Sequence, residues 1–428
     1  MDEPASDSLS IADINWWQFF TDEPLREIIS RTLENNRDML AAQARVEEMR
    51  LLYGVEKRNL LPEISATVAA DHETENYSGS NLKKDPEYDL KASMAWEMNL
   101  WGSLNWARRQ SKAKYVATVE DMRAMRMTLI AEVASAYFRL IALDNELDIV
   151  RQTLKTRQES LEQARLRFEG GLTSETVYQQ AKVEYATTAS LVPNLESAIN
   201  KARNAIAILM GEYPGEDIRR STLSLYENLP SRLPVGVPSE LVQRRPDIRR
   251  AEQNLQAAMA GVGLSYANRF PSLKITLSGG LENDGLSSFF KSPWTYISGT
   301  ITGPIFDFGR RKKKYEASKA AYDQARYAYE QAVIVAFTEV SNAVVDYRKV
   351  HQTSLLKSEL CNAAIKYVQL AHVQYRAGSL NYIDVLDAQR RYFDARIGLS
   401  NAMRNEYLAI VNLYKALGGG LAPVKQKE

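Results

Sequence analysis

Cysteine is almost absent from this chain: Cys361 is the single one in 428 residues. No intramolecular disulfide is therefore possible, and no cysteine pair is available to hold a metal. Histidine is scarce as well, and His72, His351 and His372 stand without ligand spacing, so neither a metal site nor another cofactor is expected. Net charge is lacking, since 54 Lys and Arg against 53 Asp and Glu leave a formal +1. A chain so balanced has no global field to draw in nucleic acid, and nucleic acid is not expected as a partner. No apolar run reaches the roughly 18–20 residues of a membrane-spanning helix. That excludes a helical span only, because a transmembrane β-strand needs about 9–11 residues of alternating pattern. The opening, MDEPASDSLS, lacks the basic and apolar regions of a signal peptide, so an exported form would have lost its leader before this point.

Catalytic signatures are missing too. The sequence holds no GxSxG, HExxH or Walker A pattern. Gly261-Val-Gly263 has no third glycine and follows a helical pattern rather than a strand, so it does not make a nucleotide-binding turn. The chain is not expected to be an enzyme.

What is present is a duplication. NRDMLAAQARVEE at 36–48 lines up with RPDIRRAEQNLQA at 245–257, a displacement of 209 residues that also sets Pro62 on Pro271. Further on the displacement is 207: Glu132 falls on Glu339, Gly171 on Gly378 and Ala181 on Ala388. Each half reads as a helix (24–58 and 239–268), two strand-like segments, a very long helix (103–168 and 310–376), a glycine-containing break and a last helix (174–211 and 381–417). Residues 212–238 between the halves hold Pro214, Gly215, Pro230, Pro234, Gly236 and Pro238, the composition of an extended linker.

The long helices carry a seam. Leu129, Val133, Ala136, Leu140, Leu143, Leu147, Val150, Leu154, Leu161, Ala164 and Phe168 recur at steps of 3 and 4, with one slot skipped at Arg157. A mean step near 3.5 is that of a coiled coil. The second half repeats it from Ala336 to Tyr375, weakened at Ser354 and Lys357 and with Cys361 in a seam slot, where it is expected as a small buried core residue. A helix over 103–168 would be roughly 100 Å long, too long for an ordinary globular domain.

Between these helices lie segments of period two. In 88–100, Tyr88, Leu90, Ala92, Met94, Trp96, Met98 and Leu100 alternate with more polar residues, and 62–71 and 271–282 do likewise. A fourth, 294–306, is Gly-rich with Ile297, Ile301 and Ile305 on one face. These lengths suit membrane strands, with Tyr88, Trp96, Trp101 and Trp294 as interfacial aromatics. The same alternation suits soluble hairpins with one buried face. The intervening segments HETENYSGSNLKKDPEY and NDGLSSFFKSP fit surface loops of a barrel. The run Arg310-Arg311-Lys312-Lys313-Lys314, echoed by Arg108, Arg109 and Lys112, reads as a solvated or headgroup-facing collar. Four strands cannot close a barrel, for which about eight are needed, and open strand edges are not tolerated in lipid. Membrane strands would therefore require several chains to share one barrel; three copies would supply twelve strands.

Four stretches now carry a family resemblance: WWQFFTDEPLREII at 16–29, LVQRRPDIRRAEQNL at 241–255, PIFDFGRR at 304–311 and YRAGSLNYIDVLDAQRRYFDA at 375–395. Together and in this order they resemble the TolC-type outer-membrane efflux proteins, in particular the branch that serves resistance-nodulation-division pumps. The resemblance implies a mainly α fold with β: a duplicated chain whose long coiled-coil helices form a trimeric α-barrel in the periplasm, with four strands per subunit entering a 12-stranded outer-membrane β-barrel. The implied partners are two further copies in a homotrimer, a periplasmic membrane-fusion adaptor, an inner-membrane resistance-nodulation-division pump and outer-membrane lipid. Many members are lipoproteins acylated on an N-terminal cysteine, which this sequence lacks.

On this reading the chain divides into 1–61, a first transmembrane hairpin 62–101, a first coiled-coil half 102–211, the linker 212–238, a helix 239–270, a second hairpin 271–309, a second coiled-coil half 310–417 and a tail 418–428. The resemblance places the periplasmic entrance at the two breaks. The gate residues it implies are Asp384, Asp387, Tyr375 and Arg390. The adaptor would touch the tips Gly170, Gly171, Leu172, Thr173, Ala377, Gly378 and Ser379. Asp384 and Asp387, three apart, share a helix face, and a trimer would set six carboxylates around the opening, where acidic rings favour cations. The same acids could equally be ordinary helix-start residues favoured by the dipole. The sequence departs from the pattern at Leu380, where some relatives have a basic latch residue, and at Val177, the first-half counterpart of Asp384; Arg376, Arg390 and Arg391 stand near enough to substitute. The function expected is a passive exit duct for drugs or other toxic small molecules. The rival is a soluble structural coiled-coil protein with β-hairpins.

Overall fold

The computed structural model describes residues 14–75, 83–215, 217–222, 242, 244–283, 288–303 and 305–419. Most of the linker 212–238, the centre of the first loop, part of the second loop, Pro304 and the tail from 420 lie outside the described residues.

The first half runs α1 (Trp16–Phe19), α2 (Glu23–Asn35), α3 (Arg37–Arg58), β1 (Glu63–Glu75), β2 (Lys83–Met98), α4 (Ser103–Glu169) and α5 (Glu175–Met210). The second runs α6 (Pro246–Ala267), β3 (Ser272–Asn283), a 3-10 turn (Phe289–Lys291), β4 (Pro293–Thr302), α7 (Arg310–Arg376) and α8 (Tyr382–Ala416). α4 and α7 are 67 residues each. The expected first helix, 24–58, is instead two. Asn36 leaves helical geometry at φ −60°, ψ 128°, accepts the Met39 N–H at 3.0 Å and donates to the Leu209 carbonyl at 2.9 Å. It caps a new helix and stops the old one.

The chain forms two compact units, each containing parts of both halves. One comprises residues 1–43, 121–248 and 333–428. Its core joins Trp16, Phe20, Leu25 and Ile29 to Val133, Tyr137, Leu140 and Ile141 of α4, Ile206 and Met210 of α5, and Tyr407, Val411 and Tyr414 of α8. A second cluster packs Val340, Ala343 and Tyr347 of α7 on Ile410, Leu413 and Leu417. Seam positions Val133, Leu140, Leu147, Val340, Ala343 and Tyr347 are thus core, and Ser354 is buried in its slot. Cys361 departs from expectation: it is only half-buried, because a seam between two helices covers its edge slots incompletely. Burial still raises its thiol pKa, with Arg396 opposing. Buried Arg245 ties three elements together, donating to the Ala416 carbonyl at 2.9 Å and pairing with Asp247 at 2.6 Å and Glu339 at 2.5 Å. Tyr137 donates to Asp22 at 2.5 Å and accepts the Ser221 N–H at 3.1 Å.

The other unit, residues 44–120 and 249–332, holds the sheet. All its pairings are antiparallel, in the order β1-β2-β3-β4. The two hairpins are therefore joined through β2 and β3, and among the described residues the outer edges of β1 and β4 have no strand partner. Register partners share a face. On one face Ile64, Val68, Leu90, Met94 and Trp96 align with Ile275, Leu277, Leu281, Ile297 and Ile301. The other face carries Ser65, Thr67, Asp89, Lys91, Ser93, Lys274, Thr276 and Ser298. Ser65 and Ser93 bond across it at 2.9 Å. Trp294 pairs with Gly280 on this polar face, with the Lys91 ammonium 5.8 Å from its ring centre. It does not belong with Tyr88 and Trp96, because the period of two sends it to the opposite side. β4 ends at Thr302, so Ile305 lies beyond the strand. There Phe308 adopts φ 53°, a left-handed conformation that costs a bulky residue about 1–2 kcal/mol.

Candidate functional site

The two breaks between helices have matching geometry. At the end of α4, Leu172 N–H reaches the Arg167 carbonyl at 2.8 Å and Gly171 N–H the Phe168 carbonyl at 2.9 Å. At the end of α7, Ser379 N–H reaches Gln374 at 3.0 Å and Gly378 N–H reaches Tyr375 at 3.0 Å. This is the Schellman pattern. It requires a left-handed residue at the reversal, supplied by Gly171 at φ 70° and Gly378 at φ 78°. Gly170, Gly171, Leu172, Ala377, Gly378 and Ser379 are exposed, while Thr173 is half-buried. Leu172 is 73% exposed, an apolar side chain at the outermost point of a turn.

The four residues expected at the gate have four different partners within the chain. Asp384 completes a capping box at the start of α8, accepting the Asn381 N–H at 3.2 Å. Asp387 accepts from Arg391, one turn on, at 2.7 Å, and this bond raises the Arg391 pKa. Arg390 reaches across to Glu184 of α5 at 2.9 Å. Tyr375 accepts from Arg167 of α4, whose guanidinium lies 5.6 Å from its ring centre. Tyr375 also meets Tyr382 at 5.4 Å, and burial raises the Tyr382 phenol pKa. Leu380, at the position of the missing latch, packs beside Val368, Tyr375 and Tyr382 on the core of Ala371, Val385 and Ala388.

A residue absent from the expected set lies among these contacts. Arg157, the skipped seam slot, is 5% exposed. It donates to the Glu184 carbonyl at 2.9 Å and to Thr188, and it pairs with the Glu184 carboxylate at 3.0 Å. Its guanidinium lies 5.3 Å from the Phe393 ring centre. Burial lowers its pKa, with Glu184 opposing and Arg390 acting in the same sense as burial. Glu184 thus joins Arg157 of the first half to Arg390 of the second. A lone cation in an otherwise apolar seam is the signal that marked it.

Among the described residues no group of three or more His, Cys, Asp and Glu side chains could hold a metal ion, and no helix is long and apolar enough to cross a membrane. The arrangement is two reversals held by helix caps, with charged contacts between the helices beside them.

Comparison with known proteins gives a consistent result. The profile described as Outer membrane efflux protein matches residues 28–212 and 237–419, one segment in each half. The toluene efflux pump outer membrane protein TtgF of Pseudomonas putida is 31% identical over 96% of this chain and 86% of its own length. The probable outer membrane lipoprotein SilC of Salmonella typhimurium is 30% identical over 96% of this chain and 89% of its own. Among solved structures, the outer-membrane channel OprN superposes with a TM-score of 0.89 at 28% identity, covering 99% of each chain.

Proposed function

Because this chain belongs to the outer membrane efflux protein family, and is thereby an outer-membrane channel subunit of a tripartite efflux system, we propose that three copies form one continuous duct whose periplasmic mouth opens and closes at the two helix reversals. The observation that supports this most is the sheet. One face is apolar across all four strands, the other is polar, and β1 and β4 have outer edges unpaired among the described residues. In lipid each unpaired backbone group costs several kcal/mol, and a second copy of the same sheet offers the complementary edge. Twelve strands then close with the apolar face toward lipid and the polar face toward the lumen. A soluble coiled-coil protein would leave that apolar face without a role.

In this reading Asp384 and Asp387 ring the entrance, and the contacts of Arg167 with Tyr375 and of Glu184 with Arg157 and Arg390 hold the mouth narrow. The tips Gly170 to Thr173 and Ala377 to Ser379 receive a periplasmic adaptor, itself coupled to an inner-membrane resistance-nodulation-division pump. The cargo is toxic small molecules, in keeping with the toluene efflux named for TtgF, and an acylated N-terminus follows the lipoprotein name of SilC. The test is direct. Detergent-extracted protein should sediment as a trimer and conduct in planar bilayers. The double substitution Asp384→Ala with Asp387→Ala should reduce cation preference. A water-soluble monomer would refute the duct, and unchanged selectivity would remove the two acids from the mouth.

A further inference from the structure

Beneath the sheet the helices follow the same order as the strands. α3 meets α4 where Tyr53 and Tyr115 stack at 6.3 Å. α4 meets α6 where Gly263 lies against the Trp106 ring and Arg249 pairs with Glu120 at 3.2 Å. α6 meets α7 where Tyr266 lies 5.6 Å from Tyr315 and Arg311 donates to the Asn268 carbonyl at 2.8 Å. The order β1-β2-β3-β4 is thus repeated as α3-α4-α6-α7. β1 and α3 form one outer border of this unit, and β4 and α7 form the other.

When β4 of one copy is set antiparallel beside β1 of the next, the C-terminal end of β4 comes level with the N-terminal end of β1. Both ends carry exposed apolar side chains. After β4, Ile305, Phe306 and Phe308 are 103%, 74% and 89% exposed. Before β1, Leu51, Leu52, Val55 and Leu61 are 58%, 48%, 51% and 65% exposed. Leu51 and Val55 stand roughly 200° around the helix from Tyr53, away from α4. The loop is also built to present its rings. Asp307 accepts the Gly309 N–H at 3.0 Å and the Arg311 N–H at 3.2 Å, fixing Phe308 in its left-handed conformation. Phe306 and Phe308 meet edge to face at 4.5 Å.

We propose that this loop is a clasp between subunits: Ile305, Phe306 and Phe308 of one copy seat on Leu61 and on the Leu51, Leu52 and Val55 face of α3 in the next. The proposal rests on the ring of copies set out above and adds where its helical and strand layers are locked together. A second copy is favoured over bilayer lipid as the occupant. The apolar residues flank the Asp307 carboxylate and are followed at once by Arg310 to Lys314, charges that resist immersion in hydrocarbon.

Cysteine capture separates the outcomes. In a Cys361→Ser background, Ile305→Cys with Leu61→Cys should give, on mild oxidation in the outer membrane, covalent species of two and three chains and nothing larger. A ring of three offers each chain one neighbour on either side, so the ladder ends there. Ile305→Cys with Leu172→Cys should give none. A fluorophore on Phe306→Cys should not be quenched in vesicles of brominated phosphatidylcholine. Intact trimers without covalent species, a ladder beyond three, a bond within a single chain, or quenching by the brominated lipid would each overturn the clasp while leaving the ring standing. A protein that remains monomeric in detergent overturns the ring, and the clasp with it.

Discussion

Arg157 occupies a position where the seven-residue rhythm calls for an apolar side chain. A buried cation is tolerated only when paired and hydrogen-bonded. Its side chain is 6% exposed against 48% for Arg390, although both contact Glu184. Arg157→Ala should therefore cost about 3 kcal/mol, whereas Arg390→Ala should cost less than about 1 kcal/mol. Urea titration of the detergent-solubilised protein would measure both, and equal losses would contradict the assignment. Asp247 supplies a pH prediction. Burial pushes its carboxyl up, but hydrogen bonds and charge from Arg245 outweigh this and hold it below the ordinary range. A depressed folded pKa gives stability that is present above the unfolded value of about 3.9 and lost as pH falls through the folded one. Asp247→Asn should flatten the acid limb of thermal stability below about pH 4 and leave the slope at neutral pH unchanged. The glutamates that complete these two clusters were not legible in the sequence. Glu184 and Glu339 lie 27 and 94 positions away from the arginines they meet, and only the packed helices bring them together.

At the scale of elements the reading from sequence fared best where one pattern ran uninterrupted. α7 begins at Arg310 and ends at Arg376, the bounds that its periodicity and flanking glycines predict. The break at Asn36 escaped because the apolar spacing continues across it, and the cap that makes it uses one side chain. Pro193 stands inside α5 despite removing a hydrogen bond, a case of packing overriding propensity. The helix reversals depend on two backbone conformations open to glycine. Gly171→Val and Gly378→Val should each destabilise the folded protein by about 1–2 kcal/mol. If the paired reversals form the mouth, each should also alter single-channel conductance; a variant that loses stability but conducts normally would separate the fold of the tip from the gate.

At the scale of the whole molecule, the alternation of the strands was plain in the sequence, but the face on which each residue falls was fixed only by register, as Trp294 illustrates. Ile297→Lys places a charge on the apolar face and should destabilise the membrane-inserted protein by about 2–4 kcal/mol if it lies near the bilayer centre. Ser298→Lys, one residue on and on the polar face, should be tolerated. Heat-modifiability on gels would compare the two.

The open borders of the sheet also bear on inheritance. A copy with one sound edge and one spoiled edge can still enter an assembly, yet it prevents that assembly from sealing. If normal and spoiled chains are made in equal amounts and mix at random, roughly one assembly in eight contains normal chains alone. A damaged allele of this gene would then impair a cell that still carries a good one, whereas deletion of the same allele would not.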